Sequence, residues 1–131
     1  MIYVIEKLFT ENEAFDLILK HDKDCIDKAL VNNGIYEPKV RQTKVKFLAS
    51  NIQFAKYTKG DHFDWHEDHN QIHTIVILLN DDFEGGEFEV KDSSESLNLK
   101  TGDCVMIPSL VSHRVKPITS GIRYSLTMWH P

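Results

Sequence analysis

Cysteine is scarce: Cys25 and Cys104 are the only two in 131 residues, far apart and without a CxxC pair. Free thiols in a reducing compartment are therefore expected, which means a cytoplasmic protein. Long apolar runs are missing too. None approaches the length of a membrane span, and the opening MIYVIEKLF lacks the build of a signal peptide, so no membrane partner is expected. Basic residues are in deficit, with 15 Lys and Arg against 20 Asp and Glu and a net charge of −5. That balance argues against a broad phosphate-binding surface, and no nucleic acid partner is expected. No repeat, low-complexity tract or linker divides the chain. Residues 1–131 are accordingly expected to form a single domain, large enough for a core without staples.

What is present splits into two textures. In TENEAFDLILKHDKD, Thr10 and Glu13 have the spacing of a capping box, ahead of the apolar positions Ala14, Phe15, Leu17, Ile18 and Leu19. A second short helix is expected around KDCIDKALVNNG, ending at Gly34. Residues 1–44 are thus expected to be a helical lead-in. From about Val45 onward the chain reads as short β-branched or aromatic runs: VKFLASNIQFAKY, HTIVILL, GEFEV, DCVMI, HRVKPI and IRYSLTMW. The turns TKGD, NDDFEGG, KTGD and TSG separate them. Residues 45–131 are expected to be a β sandwich or barrel with the helices packed outside.

Potential metal ligands crowd the stretch DHFDWHEDHN, residues 61–70. On a strand, side chains alternate, so His66 and Asp68 share one face and Glu67 and His69 the other. A His-x-Asp pair supplies two ligands, and His113, 45 residues after Asp68, is the candidate third. The turn PITSG can fold the strand of His113 and that of Arg123 into an antiparallel hairpin, which brings the two together. Alternation then sets Arg123, Ser125, Thr127 and Trp129 on one face, with Tyr124, Leu126 and Met128 on the other. An arginine on the interior face of a barrel needs an anion to balance it. Two histidines and a carboxylate leave three open positions on an octahedral metal, the pattern of non-haem Fe(II) oxygenases. A 2-oxo acid fills two of them, and a guanidinium suits its far carboxylate.

The blocks YTKGDHFDWHEDH, TIVILLNDDFEGGEFEV and LKTGDCVMIPSLVSHRVKPITSGIRYSLTMW occur in this order from Tyr57 to Trp129. In these blocks the sequence resembles the prolyl 4-hydroxylase-like branch of the 2-oxoglutarate- and Fe(II)-dependent dioxygenases. The resemblance implies a mainly β fold, the double-stranded β-helix or jelly roll. It implies His66, Asp68 and His113 as iron ligands. It also implies Arg123, Tyr57 and Ser125 as 2-oxoglutarate contacts. The implied cofactors are Fe(II), 2-oxoglutarate and O2, with ascorbate as a candidate reductant. The implied reaction couples oxidative decarboxylation of 2-oxoglutarate to hydroxylation of a C–H bond. Collagen-type members carry lysine where this chain has Arg123.

Duller readings accompany each residue. A lone histidine is more often structural than ligating. Tyr57 can be a core aromatic, Ser125 a small strand residue, and Cys104 a small buried hydrophobe. Glu67, His69, His62 and His73 read as rim or outer-face residues, and His21 and His130 as surface ones. A zinc hydrolase on the same barrel is a second class, though it has no use for a 2-oxo acid clamp. A non-catalytic jelly roll binding a metal or small acid is a third. Phe63, Trp65 and Trp129 near the expected mouth favour a prolyl residue in a peptide or protein as substrate. A free amino acid or other small metabolite is the alternative.

Overall fold

The computed structural model describes residues 2–22, 29–36, 47–91, 93 and 97–131. Near the N-terminus lie β1 (Tyr3–Ile5), α1 (Glu11–His21), β2 (Ala29–Tyr36) and β3 (Phe47–Tyr57). The middle of the chain forms β4 (Phe63–His66), β5 (His73–Leu78), β6 (Glu84–Gly85) and β7 (Phe88–Val90). Four more strands follow: β8 (Cys104–Pro108), β9 (His113–Val115), β10 (Ile118–Ser120) and β11 (Arg123–His130). They assemble a six-stranded sheet of order β1-β8-β5-β11-β3-β2, a three-stranded sheet β4-β9-β7 and a ribbon β10-β6. All pairings are antiparallel. This is the expected jelly roll.

The large sheet is covered on both faces, which explains the unbroken apolar run of β5. Ile75, Ile77 and Leu79 join Phe54, Leu126 and Met128 in a core that Leu8, Phe9 and α1 close from outside. Val76, on the other side of β5, packs with Phe88, Val90, Val105 and Ile107 between the sheets. Full burial of each such side chain contributes roughly 1.5–3 kcal/mol. The capping box at α1 forms as expected: Glu13 N–H donates to Thr10 Oγ1 at 3.2 Å, and Thr10 N–H to Glu13 Oε1 at 3.0 Å. The far end of α1 is tied to the sheet by Tyr124 Oη donating to Asp22 and by the Lys56–Asp22 ion pair at 2.8 Å.

One expectation about the lead-in fails. The second helix is absent from the described part of its span: residues 29–36 form strand β2, while residues 23–28 and Cys25 lie outside the described residues. Pairing along β3, from Ala29↔Ala55 to Tyr36↔Phe47, gives this segment's backbone its hydrogen bonds, so tertiary context overrides local propensity. Gly34 follows a register shift in that ladder rather than ending a helix. The 1–44 lead-in therefore contributes two strands, β1 and β2, to the edges of the large sheet.

Candidate metal centre

His66 ends β4 and His113 begins β9, and these two strands pair antiparallel with the two histidines directly opposite. Their rings meet edge-on with centroids 4.3 Å apart. Asp68 differs from expectation, because β4 stops at His66 and the aspartate sits in the turn beyond. Strand alternation therefore does not orient it. Its backbone N–H donates instead to Ser109 O at 2.8 Å, which pins the turn to the loop after β8. The result is a compact set: Asp68 Oδ1 lies 3.6 Å from His66 Nε2, and Oδ2 lies 3.1 Å from His113 Nε2. Ligand atoms of all three residues lie within 4.8 Å of one another.

The tautomers are fixed by the backbone. His66 Nδ1 lies 2.7 Å from Asp64 O and His113 Nδ1 lies 2.8 Å from Val111 O. A carbonyl only accepts, so both Nδ1 atoms carry the proton and both Nε2 atoms are turned to the cluster. Burial alone would raise the Asp68 carboxyl, but hydrogen bonds from His113, Thr74 and Trp129 prevail and hold it at about 2. Burial lowers His66, whereas for His113 the hydrogen bond to Asp68 outweighs burial and raises it. Asp68 thus favours a proton on His113 where a cation would otherwise sit, and metal binding would release that proton. An anionic carboxylate with two neutral imidazoles is a donor set that fits Fe(II) or zinc.

Arg123 and Ser125 lie on β11, and Tyr57 is the direct partner of Arg123 on β3. The expected hairpin with His113 does not form. β9 belongs to the three-stranded sheet and β11 to the six-stranded one, so the two residues face each other across the fold. They still line one cavity of about 90 Å3, together with His66, Asp68, Tyr57 and Ser125. The alternation along β11 is as expected: Thr127 and Trp129 also line this cavity, and Leu126 and Met128 enter the core behind it. Arg123 is 2 % exposed, Nη1 donates to Ser125 Oγ at 3.1 Å, and Nε has no partner. Tyr57 presents its ring 5.7 Å from the guanidinium. Burial draws Arg123 down to about 10, which leaves it charged at neutral pH, and burial raises Tyr57. No carboxylate balances this cation among the described residues, so the cavity has a built-in demand for an anion.

Of the neighbouring residues, Glu67, His69 and His62 lie at the surface as expected, whereas His73, His130 and His21 are half-buried. Glu67 and His69 face solvent and lie 3.9 Å apart, and His62 bonds Gly60 O. His73 and His130 stack on each other across β5 and β11, and the His21 ring packs tilted against Phe54 at 5.3 Å. Cys104 is a buried free thiol, with burial raising it to about 12. Phe63 lines the cavity, but Trp65 lies over Arg114 on the other face of the small sheet. A larger hollow of about 770 Å3 beside α1 is lined by Glu11, Asp81 and Asp82 but by no histidine or free guanidinium. It lacks the chemistry of the smaller cavity. Sequence reasoning missed Thr74 and Ser109, since a Thr opening a strand and a Ser in a loop carry no distinguishing pattern.

Residues 52–130 match the family described as the 2OG-Fe(II) oxygenase superfamily. A PKHD-type hydroxylase of Idiomarina loihiensis is 30 % identical over 110 residues, 76 % of this chain and 49 % of that protein. Another, from Pseudomonas fluorescens, is 32 % identical over 89 residues, 56 % of this chain and 39 % of its own length. The chain thus spans about half or less of these relatives. In fold it is similar to the viral collagen prolyl hydroxylase of Paramecium bursaria Chlorella virus-1 in its 2OG complex. The TM-score is 0.72 at 15 % identity, with 98 % of this chain and 93 % of that one covered. A Pseudomonas putida prolyl-4-hydroxylase gives 0.68 at 17 % identity, with 98 % and 90 % covered. With the family match running over more than half of its length, this chain belongs to the 2OG-Fe(II) oxygenase superfamily.

Proposed function

We propose that the protein is an Fe(II)- and 2-oxoglutarate-dependent dioxygenase that hydroxylates a prolyl residue in a peptide or protein. The carrying observation is the unbalanced buried guanidinium of Arg123 in the same cavity as His66, Asp68 and His113. A zinc hydrolase or a simple metal-binding module has no use for that cation. His66, Asp68 and His113 would hold the iron through two Nε2 atoms and a carboxylate oxygen. Arg123 would bind the far carboxylate of 2-oxoglutarate, with the Ser125 hydroxyl fixing the guanidinium and Tyr57 walling it from water. Iron with 2-oxoglutarate and O2 supplies the oxidation, in which the acid leaves as succinate and CO2 and one oxygen atom enters a substrate C–H bond. Ascorbate would serve as reductant. The free Cys104 thiol suits a cytoplasmic setting. No helix among the described residues is long and apolar enough to cross a membrane.

The prolyl assignment rests on the apolar rim and on the relatives. Phe63 is 50 % exposed and lines the cavity, while Ile72 and Leu110, 58 % and 62 % exposed, flank the Asp68 turn and the loop it bonds. A proline ring with fixed φ docks on such a rim at little entropic cost. The two fold neighbours act, by their names, on prolyl residues. Anaerobic Fe(II) plus 2-oxoglutarate should give a weak visible charge-transfer band. Adding O2 and a proline-rich peptide should then give succinate and one added oxygen on the peptide. His66→Ala, Asp68→Ala and His113→Ala should abolish turnover, and Glu67→Ala and His69→Ala should largely keep it. Oxygen added only to free amino acids or metabolites would move the substrate to that class. No band and no succinate would remove the dioxygenase reading.

A further inference from the structure

Asp68 is the one member of the triad that no strand orients, and a buried pair of hydroxyls stands behind it. Thr74 Oγ1 donates to Asp68 Oδ2 at 2.6 Å. Ser109 Oγ lies 3.0 Å from Thr74 Oγ1. A threonine hydroxyl has a single proton, and here it goes to the carboxylate, so Ser109 must be the donor to Thr74. The chain runs one way: Ser109 to Thr74 to Asp68. Thr74 is 1 % exposed and Ser109 0 %. Ser109 also accepts from Asp68 N–H through its carbonyl and donates its own N–H to Ile72 O, so one residue ties both ends of the Asp68 turn.

We infer that Thr74, backed by Ser109, is a positioning residue that sets the Asp68 carboxylate for metal binding. This rests on reading His66, Asp68 and His113 as the metal centre. Packing alone does not call for a hydroxyl there. Thr74 and Val76 are the β5 residues that line the cavity, and valine has nearly the shape of threonine without a polar atom to bury. β5 is flanked by β8 and β11 in the large sheet, so Thr74 is a fixed reference point for a carboxylate that no strand orients. The bond keeps one carboxylate oxygen toward each imidazole, the arrangement observed at 3.6 and 3.1 Å. Partners of this kind orient a ligand and tune its affinity without touching the metal.

The test is anaerobic titration of the purified chain with Co(II), followed by visible absorption, alongside thermal unfolding of the metal-free protein. Thr74→Val should weaken Co(II) binding by about ten- to a hundredfold, with an unfolding temperature equal to or above that of the parent. Thr74→Ser, which restores the donor, should bind within about threefold of the parent. Should Thr74→Val fail to fold, Ser109→Ala takes its place; it leaves Thr74 but removes the proton donated to it, and should bind Co(II) about three- to tenfold more weakly. Parent-like affinity in Thr74→Val, or in Ser109→Ala where it is the substitute, would overturn the role of Thr74. So would equal weakening in Thr74→Val and Thr74→Ser. No Co(II) binding by the parent chain would instead overturn the metal-centre reading itself.

Discussion

At the scale of single residues, Arg123 is where stability and function conflict. A guanidinium 2 % exposed, with Ser125 as its one hydrogen-bond acceptor among the described residues and Nε unpaired, is desolvated with little compensation. Arg123→Met should therefore stabilise the ligand-free protein by about 1 kcal/mol or more, since apolar replacement of poorly satisfied buried charge is often favourable. Millimolar 2-oxoglutarate should raise the unfolding temperature of the parent and leave that of the variant unmoved. In turnover, Arg123→Ala loses a charge-assisted contact of about 2 to 4 kcal/mol, so KM for 2-oxoglutarate should rise at least about thirtyfold. Thermal melts with and without the acid, plus succinate assays, check both outcomes. A destabilised Arg123→Met that still responds to 2-oxoglutarate would place the anion elsewhere.

At the scale of elements, the acidic turn into β6 and β7 braces the arginine. Gly86 has φ +66°, and a Cβ there would meet the Ile118 side chain, Phe83 at 3.0 Å and Arg123 Cδ at 3.1 Å. Gly86→Ala combines left-handed backbone strain with crowding and should cost about 2 to 4 kcal/mol in urea unfolding. Because Arg123 Cδ is one of the crowded atoms, 2-oxoglutarate affinity should fall as well; an unchanged affinity would show that the stem of Arg123 yields freely. The elements also mark where sequence patterns hold. Thr10 and Glu13 announce α1 because capping is a local hydrogen-bond exchange. The segment of β2 reads as helix in the sequence, because its strand state depends on pairing with β3. Strand alternation reaches His66 but not Asp68, because β4 ends where its pairing with β9 ends, at His66 opposite His113.

At the scale of the whole molecule, the central strand β5 holds the two cores together, one under α1 and one between the sheets. Ile77, the next-to-last residue of β5, is 0 % exposed. Ile77→Ala should cost about 2 to 5 kcal/mol by equilibrium unfolding, with the loss falling on the entire fold rather than on the site alone. Leu110→Ala, on the 62 % exposed loop residue, should change stability by less than about 0.5 kcal/mol. Similar costs at the two positions would contradict the packing described.

The sequence by itself determined the β texture after residue 45, the cap of α1, the alternation along β11 and the identities of the candidate ligands. Each is carried by short-range periodicity or by residue types that few chemistries use together, so order along the chain suffices to read it. Only the tertiary structure decided how those ligands meet. His113 reaches His66 through β4–β9 pairing, and Arg123 reaches the same cavity from the opposite sheet rather than through a hairpin. Asp68 is aimed by Thr74 and Ser109, neighbours from β5 and from the loop after β8. Hydrogen bonds between residues distant along the chain leave no period in the sequence, and that is why the supports of the site were invisible while its ligands were not.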